Sequence, residues 1–153
     1  MKRLLGGVTW ICLIALGLLH AGFGQTPSSE AAVRQVMQAQ VEAWNRHDLE
    51  GFMAGYWNSP ELTFFSGGSV AHGWQAAMER YRKNYQAPGT EMGKLEFGDL
   101  QIEMLGPRAA FVRGNYRLTL SNGKQPHGLF TLIFRQFPEG WRIIHDHSSS
   151  GGE

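Results

Sequence analysis

The 153-residue sequence contains few of the residues that most often reveal a partner or a stabilising device. Its one cysteine, Cys12, lies in an apolar N-terminal run, so the rest of the chain cannot be held together by disulfides. Charged residues make up 18% of the sequence, and the formal net charge is +1 with no run of basic residues. These absences argue against a disulfide-stapled scaffold and against nucleic acid as the partner.

Familiar catalytic signatures are also missing. The sequence has no Gly-x-Ser-x-Gly motif for a nucleophilic serine and no glycine-rich loop that would cradle a phosphate. It contains no internal repeat and no low-complexity segment. Function therefore has to be argued from single side chains and from the elements that carry them.

The N-terminal segment has the pattern of a secretory signal peptide. A Lys-Arg pair precedes an apolar run from Leu4 to Leu19, and Gly22-Phe23-Gly24 supplies small residues for cleavage. The run is short for a membrane span of ~20 residues. We therefore predict a cleaved leader over residues 1–24, with an uncleaved anchor as the alternative. The single domain, residues 25–153, would then be secreted or periplasmic, with no membrane contact after cleavage.

Three stretches have the apolar spacing of helices. Ser28 or Ser29 is placed to cap the first, Asp48 caps a short second helix, and the third begins after Gly73. The remaining apolar segments are bounded by turn residues and read as strands. The predicted strands are Glu61–Ser66, Ser69–His72, Met92–Met104, Ala109–Leu120, Gly128–Gln136 and Trp141–Ser148. This order predicts an α+β domain with helices on one face of a curved sheet.

The last strand ends in two histidines that strict alternation places on one face. His145 and His147 then share the helix-covered face, while Asp146 takes the opposite one. Pairing across the preceding turn brings Thr131 beside His147 and Ile133 beside His145. The predicted pocket therefore has imidazoles at its polar end.

A second turn, centred between Asn122 and Gly123, sets the register of the two strands before it. It pairs Tyr116 with Leu129 on the helix-covered face. The opposite face then carries arginines, aromatic residues and one aspartate: Phe111, Arg113, Asn115, Arg117, Phe130, Leu132, Phe134, Arg142 and Asp146. In this register Arg113 lies within reach of an ion pair with Asp146. Arg and aromatic residues are favoured at interfaces, so we predict a homodimer through Phe111, Arg113, Phe130 and Phe134.

Three segments in this order resemble the nuclear-transport-factor-2-like superfamily, in its SnoaL-like and calcium/calmodulin-kinase-association-domain-like branch. They are Gly73-Trp74 with Arg80-Tyr81, Val112–Thr119 and Trp141–Ser148. The resemblance implies a cone-shaped α+β domain, usually dimeric, with three N-terminal helices on a curved, mainly antiparallel sheet. A cavity lies between helices and sheet in such domains. Members include isomerases, dehydratases, cyclases, ligand binders and assembly modules, so no single activity is implied.

Two comparisons with family sequence patterns bear on the activity. Aligning the strand that carries an aspartate base in ketosteroid-isomerase-like members puts Phe64 or Phe65 at that position, with Glu61 as the nearby carboxylate. Steroid-type isomerisation is therefore disfavoured. Arg117-Leu118-Thr119 matches an Arg-Leu-Thr of the kinase association domains, where the arginine helps to form an anion pocket. The predicted register turns Arg117 away from the cavity.

Ten residues form the predicted ligand-binding site, and two of them are the catalytic candidates. Histidine titrates near neutral pH and can serve as acid, base or hydrogen-bond donor, so His145 and His147 are those candidates. A zinc site would need at least one further ligand, and we expect neither a metal nor a cofactor. The predicted site comprises Tyr56, His72, Trp74, Tyr81, Tyr116, Arg117, His127, Thr131, His145 and His147.

Three functions remain open at this point. The chain is an exported binding protein for a small molecule, a cofactor-free enzyme with a histidine acid or base, or a dimeric assembly module. The competing structural interpretation gives both histidines plain hydrogen bonds at the sheet end and makes the aromatic residues ordinary core. Because no buried carboxylate is evident beside either histidine, with Asp146 predicted to face away, the sequence favours binding.

Overall fold

The computed structural model describes residues 28–151, so the predicted leader at residues 1–24 lies outside the described residues. All predicted helices and strands are present. They are α1 (Ser29–Asn45), α2 (Leu49–Met53), β1 (Thr63–Ser66), β2 (Ser69–His72), α3 (Trp74–Tyr85), β3 (Lys94–Gly106), β4 (Ala109–Thr119), β5 (His127–Phe137) and β6 (Gly140–Ser150). Within residues 28–151, none of the helices combines the length and apolar character that crossing a membrane requires.

The predicted helix caps are confirmed. The Ser28 hydroxyl accepts a hydrogen bond from the Ala31 backbone N–H at 3.2 Å, and the Asp48 carboxylate accepts one from the Gly51 N–H at 2.8 Å. Each cap satisfies a backbone donor that the first turn of a helix leaves unpaired. These short-range contacts set where α1 and α2 begin.

The six strands form one sheet in the order β2-β1-β6-β5-β4-β3. Only β1 and β6 pair in parallel, and the remaining neighbours are antiparallel, as predicted for a mainly antiparallel sheet. The helices bury their apolar side chains against one face of this sheet. Because β6 lies between β1 and β5, its side chains occupy the middle of that face.

Two adjacent rows of paired residues cross β4, β5, β6 and β1 and define the two faces of the sheet. One row is largely buried and belongs to the face that meets the helices, called here the inner face: Val112, Leu132, Asp146 and Phe64. The neighbouring row points to the opposite side, called here the outer face: Arg113, Thr131, His147 and Phe65.

A β-bulge at Ile144 reverses the predicted faces at the end of β6. Ile143 and His145 pair with consecutive residues of β5, so Ile144 has no partner in that ladder. Ile143 is fully buried on the inner face, but the next buried residue is Asp146. His145 and His147 lie on the outer face. The prediction that they share the helix-covered face was wrong because strict alternation allows no extra residue.

The predicted register between β4 and β5 was wrong by one residue. Tyr116 pairs with Gly128, and Asn115 pairs with Leu129. The tip of the connection, Ser121–Gly123, is closed by a hydrogen bond from the Leu120 N–H to the Lys124 carbonyl at 2.9 Å. The turn is therefore centred on Asn122. The predicted pairs Thr131–His147 and Ile133–His145 are confirmed.

This shift corrects two further predictions. Phe130 and Phe134 are 5% and 0% exposed on the inner face, so they cannot form an outer dimer contact. Arg113 does not reach Asp146 either, because the two lie on opposite faces. Arg113 instead donates to the Gln101 side chain at 2.9 Å and lies 3.8 Å from the Glu103 carboxylate.

Candidate functional site

A cavity of about 100 Å³ lies between the helices and the inner face of the sheet. Nine of its nineteen lining residues are aromatic, and their rings come from helices and strands alike, among them Trp44, Phe52, Phe64, Tyr81, Phe97 and Phe130. Besides tyrosine hydroxyls, the lining contains one basic and one acidic side chain, Arg80 and Asp146. The cavity is therefore an apolar space with one acidic and one basic group.

Asp146 is buried in the cavity wall, with 3% of its surface exposed. Its Oδ2 accepts a hydrogen bond from the Tyr56 hydroxyl at 2.7 Å, and its Oδ1 accepts one from the Ser148 hydroxyl at 2.8 Å. Burial raises the pKa of Asp146 to about 6, and the hydrogen bonds from Tyr56 and Ser148 oppose that rise. Asp146 can therefore gain or lose a proton close to neutral pH.

Two tyrosines extend the hydrogen-bonded group away from Asp146. The hydroxyls of Tyr56 and Tyr81 lie 3.3 Å apart. Burial, followed by the nearby Asp146 carboxylate, holds the pKa of both tyrosines well above the usual value. Both hydroxyls are therefore protonated in neutral solution and can act as hydrogen-bond donors.

Tyr56 reaches Asp146 because the segment after α2 pairs with β6. The Ile143 N–H donates to the Gly55 carbonyl, and the Trp57 N–H donates to the Ile143 carbonyl, both at 2.9 Å. These bonds form a parallel bridge at Tyr56, next to the bulge in β6. The bridge and the bulge together direct the Tyr56 and Asp146 side chains into the same space.

Tyr81 is positioned by aromatic packing within the helices. Its ring meets the rings of Phe52 and Trp44 edge to face, at centroid distances of 5.2 and 6.1 Å. Such packing fixes the ring while its hydroxyl remains free to bond. The same helix, α3, carries Arg80 to the cavity.

Arg80 is held by the β1–β2 hairpin. One terminal nitrogen donates to the Ser69 hydroxyl at 2.7 Å, and the other donates to the Ser66 carbonyl at 2.9 Å. The guanidinium carbon also lies 5.3 Å from the centre of the Phe64 ring, within cation–π range. The side chain is partly buried, so it presents a fixed positive group to the cavity.

Three predicted ligand-binding residues line this cavity: Tyr56, Tyr81 and Tyr116. His145 and His147 do not, because they lie on the outer face. The His145 Nδ1 lies 2.6 Å from the Thr63 hydroxyl, and the Phe65 ring meets both imidazoles edge-on. Thr131 lies beside His147 on that face.

The other predicted site residues lie elsewhere. Trp74 is tied to the core, where its Nε1–H donates to the Met53 carbonyl at 3.0 Å. His72 is exposed at the end of β2. His127 and Arg117 are exposed opposite each other on β5 and β4, and neither lines the cavity. Arg117 therefore points away from the cavity, as the predicted register had indicated.

The sequence analysis missed Asp146 and Arg80 as site residues. Under strict alternation Asp146 belongs to the outer face, and no residue near Ile144 marks a bulge. Arg80 precedes the predicted Tyr81, but consecutive residues of a helix do not share a face, so the apolar spacing of α3 did not select it. Within residues 28–151, no group of three or more His, Cys, Asp or Glu side chains is placed to hold a metal ion.

Comparisons with known proteins agree with this architecture. A family model described as SnoaL-like domain matches residues 33–151. A nuclear-transport-factor-2-like protein of unknown function from Shewanella oneidensis is 37% identical, with a TM-score of 0.71, over 78% of this chain and 97% of that chain. A comparison with curated proteins finds no match.

More distant structures share the fold alone. A ketosteroid isomerase-like protein from Erwinia carotovora atroseptica is 18% identical, with a TM-score of 0.67, over 84% of this chain and 100% of that chain. A putative calcium/calmodulin-dependent protein kinase II association domain from Xanthomonas campestris is 16% identical, with a TM-score of 0.63 over 79% of this chain and 86% of that chain. Proteins that share this fold therefore carry different functional descriptions, so the fold alone does not indicate a function.

Proposed function

The chain belongs to the SnoaL-like domain family, and from that premise we propose that its cavity binds a small, partly apolar molecule. Asp146 is the polar anchor of this site, and the tyrosine hydroxyls of the cavity assist it. The aromatic wall contacts the apolar part of the ligand. This proposal replaces the outer-face histidines with Asp146 as the group that orients the ligand.

The buried Asp146 carboxyl is the observation that carries the proposal. Burying an ionisable group without full compensation is costly, and within residues 28–151 only two donors, the Tyr56 and Ser148 hydroxyls, bond to it. A carboxylate has capacity for more hydrogen bonds than these. A strongly perturbed acid in a cavity is characteristic of functional sites.

The dimensions of the cavity limit the ligand. A cavity of about 150 Å³ in another protein accepts benzene, and this one measures about 100 Å³. Because benzene is itself smaller than the cavity that holds it, the enclosed part of the ligand is a group of about five or six heavy atoms, with a carbonyl or hydroxyl oxygen for Asp146. A larger ligand would extend past the rim at Arg80.

Cyclopentanone tests this binding site, because it combines a short apolar ring with one carbonyl oxygen. We expect protein-detected NMR titration to show shifts at inner-face residues. Binding should be tighter at pH 5, where Asp146 is mostly protonated and donates to the ketone, than at pH 8. In Asp146→Asn, whose amide does not titrate, this pH dependence should disappear.

His145→Gln/His147→Gln is the matched control, because it alters two titratable groups of the outer face and leaves the cavity lining intact. This double variant should still bind cyclopentanone more tightly at pH 5 than at pH 8, with the midpoint moved upward because His147 lowers the pKa of Asp146. Shifts confined to the outer face, or no saturable binding at either pH, would contradict the proposal.

A cofactor-free acid–base enzyme is the second candidate function. The observation that favours it is again Asp146, which has a pKa near neutrality and donors beside it. In this role the Asp146 carboxylate removes a proton from the carbon next to a carbonyl, and the resulting acid returns one. In D2O, wild type should accelerate deuterium incorporation into cyclopentanone and Asp146→Asn should not. Binding without deuterium exchange would support the binding function and contradict the catalytic one.

We further propose that the domain acts in a secreted or periplasmic setting after cleavage at residue 24. The supporting observation is the basic, apolar and small-residue order of residues 1–24. N-terminal sequencing of the exported protein should begin at Gln25. An intact N-terminus on a membrane-bound chain would favour the anchor instead.

A homodimer through the outer face remains our proposal in a revised form. Phe111 and Arg113 stay in the contact, while Leu129 and Phe65, which are 65% and 37% exposed, replace the buried phenylalanines. Exposed apolar residues beside arginine are typical of interfaces. Analytical ultracentrifugation should show a dimer for wild type and a monomer for Leu129→Glu. A monomeric wild type would exclude this contact.

A further inference from the structure

Arg80 is the arginine of the cavity lining, and it makes no ion pair within residues 28–151. Arg34, Arg82 and Arg113 each lie within 4.0 Å of a glutamate carboxylate, with closest distances of 3.0, 3.3 and 3.8 Å. Across residues 28–151, no carboxylate lies that close to the Arg80 guanidinium. Its partners are the neutral Ser69 hydroxyl and Ser66 carbonyl. The charge of Arg80 is therefore not neutralised by the described part of the chain.

The guanidinium retains hydrogen-bonding capacity as well as charge. Arginine has more N–H donors than the two contacts with the hairpin employ. Those contacts, together with the Phe64 ring, hold the planar group in one orientation at the cavity. A preoriented guanidinium matches a carboxylate through paired hydrogen bonds. The geometry thus suits an anion that approaches from the rim.

Asp146, the other charged group of the lining, does not occupy this position. Its oxygens bond to Tyr56 and Ser148. A ligand dianion would meet a single cation at the rim and, above the pKa of Asp146, a negative charge in the wall. A monoanion with an apolar body faces a smaller electrostatic cost, so the charges favour it.

We propose that the molecule bound is a small monocarboxylate, with its carboxylate on Arg80 at the rim and its apolar chain in the cavity. This inference rests on the proposed function and specifies the ligand class for the same site. An oxygen on the far end of the chain would meet Asp146. Short-chain keto or hydroxy acids combine all of these features.

Hexanoate and hexanamide test the inference, because they have the same chain and differ chiefly in charge. At pH 6 the hexanoate carboxyl is ionised. Isothermal titration calorimetry on the wild type should show binding of hexanoate about tenfold or more tighter than hexanamide, as a hydrogen-bonded charge pair predicts. In Arg80→Gln this preference should disappear while hexanamide binding persists. Arg80→Lys keeps the charge without the planar fork and should give an intermediate preference.

Arg82→Gln is the matched control, since it removes the same charge from the same helix at an exposed residue paired with Glu50. It should retain the preference for hexanoate. Equal affinity of the wild type for both molecules would overturn the inference and leave the proposed binding function intact. Failure of both molecules, together with cyclopentanone, to bind would overturn the two together. The wild-type comparison decides the question even where a variant fails to fold.

Discussion

The two faces of the central strands differ in how far they exclude solvent. Asp146 on the inner face and His147 on the outer face are consecutive residues of β6, yet one is 3% exposed and the other is exposed to solvent. Burial raises the pKa of Asp146 to about 6. On the outer face, partial burial and then the neighbouring His147 lower the pKa of His145. Burial thus gives an ordinary acid the titration range usually associated with histidine.

Protonation therefore has different effects on the free energy of unfolding at the two faces. Proton binding by the inner acid is coupled to desolvation, so it changes the stability of the fold. The outer imidazoles are reached by solvent, which screens their charge. The effect of a titratable residue on stability therefore depends on which face of the sheet it occupies. Three experiments test this contrast.

The largest expected effect comes from truncating the inner face. Phe134 is fully buried on β5, so Phe134→Ala should reduce the free energy of unfolding by about 3–5 kcal/mol. Leu105, which is 56% exposed on β3, supplies the control. Leu105→Ala should stay within about 0.5 kcal/mol of the wild type. Urea denaturation measures both, and a small loss for Phe134→Ala would contradict the register of β5.

The second effect is the pH dependence that Asp146 confers. Its folded-state pKa of about 6 lies above the ordinary value of 3.8, so the folded state binds the proton more tightly. This contribution to stability is complete below pH 3.8 and is lost as the pH rises through 6. Its full size is about 3 kcal/mol. Asp146→Asn lacks this titration, so it should gain stability relative to the wild type as the pH rises from about 4 to about 7.

Urea denaturation at intervals across that range measures the effect. The difference between the two proteins is the useful quantity, because other carboxylates titrate equally in both. His127, which is exposed on the outer face of β5, supplies the control, and His127→Gln should follow the wild type through the acidic range. A constant difference between Asp146→Asn and wild type would mean that the inner acid has an ordinary pKa.

The smallest effect concerns the outer face alone. His147→Gln removes the neighbouring charge that helps to lower the pKa of His145, so that pKa should rise toward its usual value. NMR titration of the imidazole signals measures the change. His127→Gln, on the same face but opposite Arg117, should leave the pKa of His145 unchanged. An unchanged value in His147→Gln would show that burial alone lowers it.

Local features of the sequence predicted local features of the fold. The caps at Ser28 and Asp48 and the tyrosines at the cavity, Tyr56, Tyr81 and Tyr116, follow from short-range chemistry and apolar spacing. Register was harder to predict. The pairing of β5 with β6 near the histidines was predicted correctly. The pairing of β4 with β5 differs from the prediction by one residue, because the turn between them is centred on Asn122.

The acid of the candidate site could not be predicted by the same means. Its position depends on the bulge at Ile144, where the edge of β6 changes partner from the Gly55–Trp57 segment to β1. Those partners are distant in sequence, so no local pattern reports them. A single extra residue in a strand exchanges its two faces, which is why the histidines were predicted in place of Asp146.

The central position of β6 has a consequence for how the chain folds. The hydrogen bond between Tyr56 and Asp146 spans 90 residues of sequence, and β1 joins the remaining strands only through β6. Neither the sheet nor the cavity can be completed before the element that comes last in chain order is inserted. Contacts of such long sequence separation slow folding. The cavity is therefore completed late, and no partly synthesised chain that lacks β6 can form it.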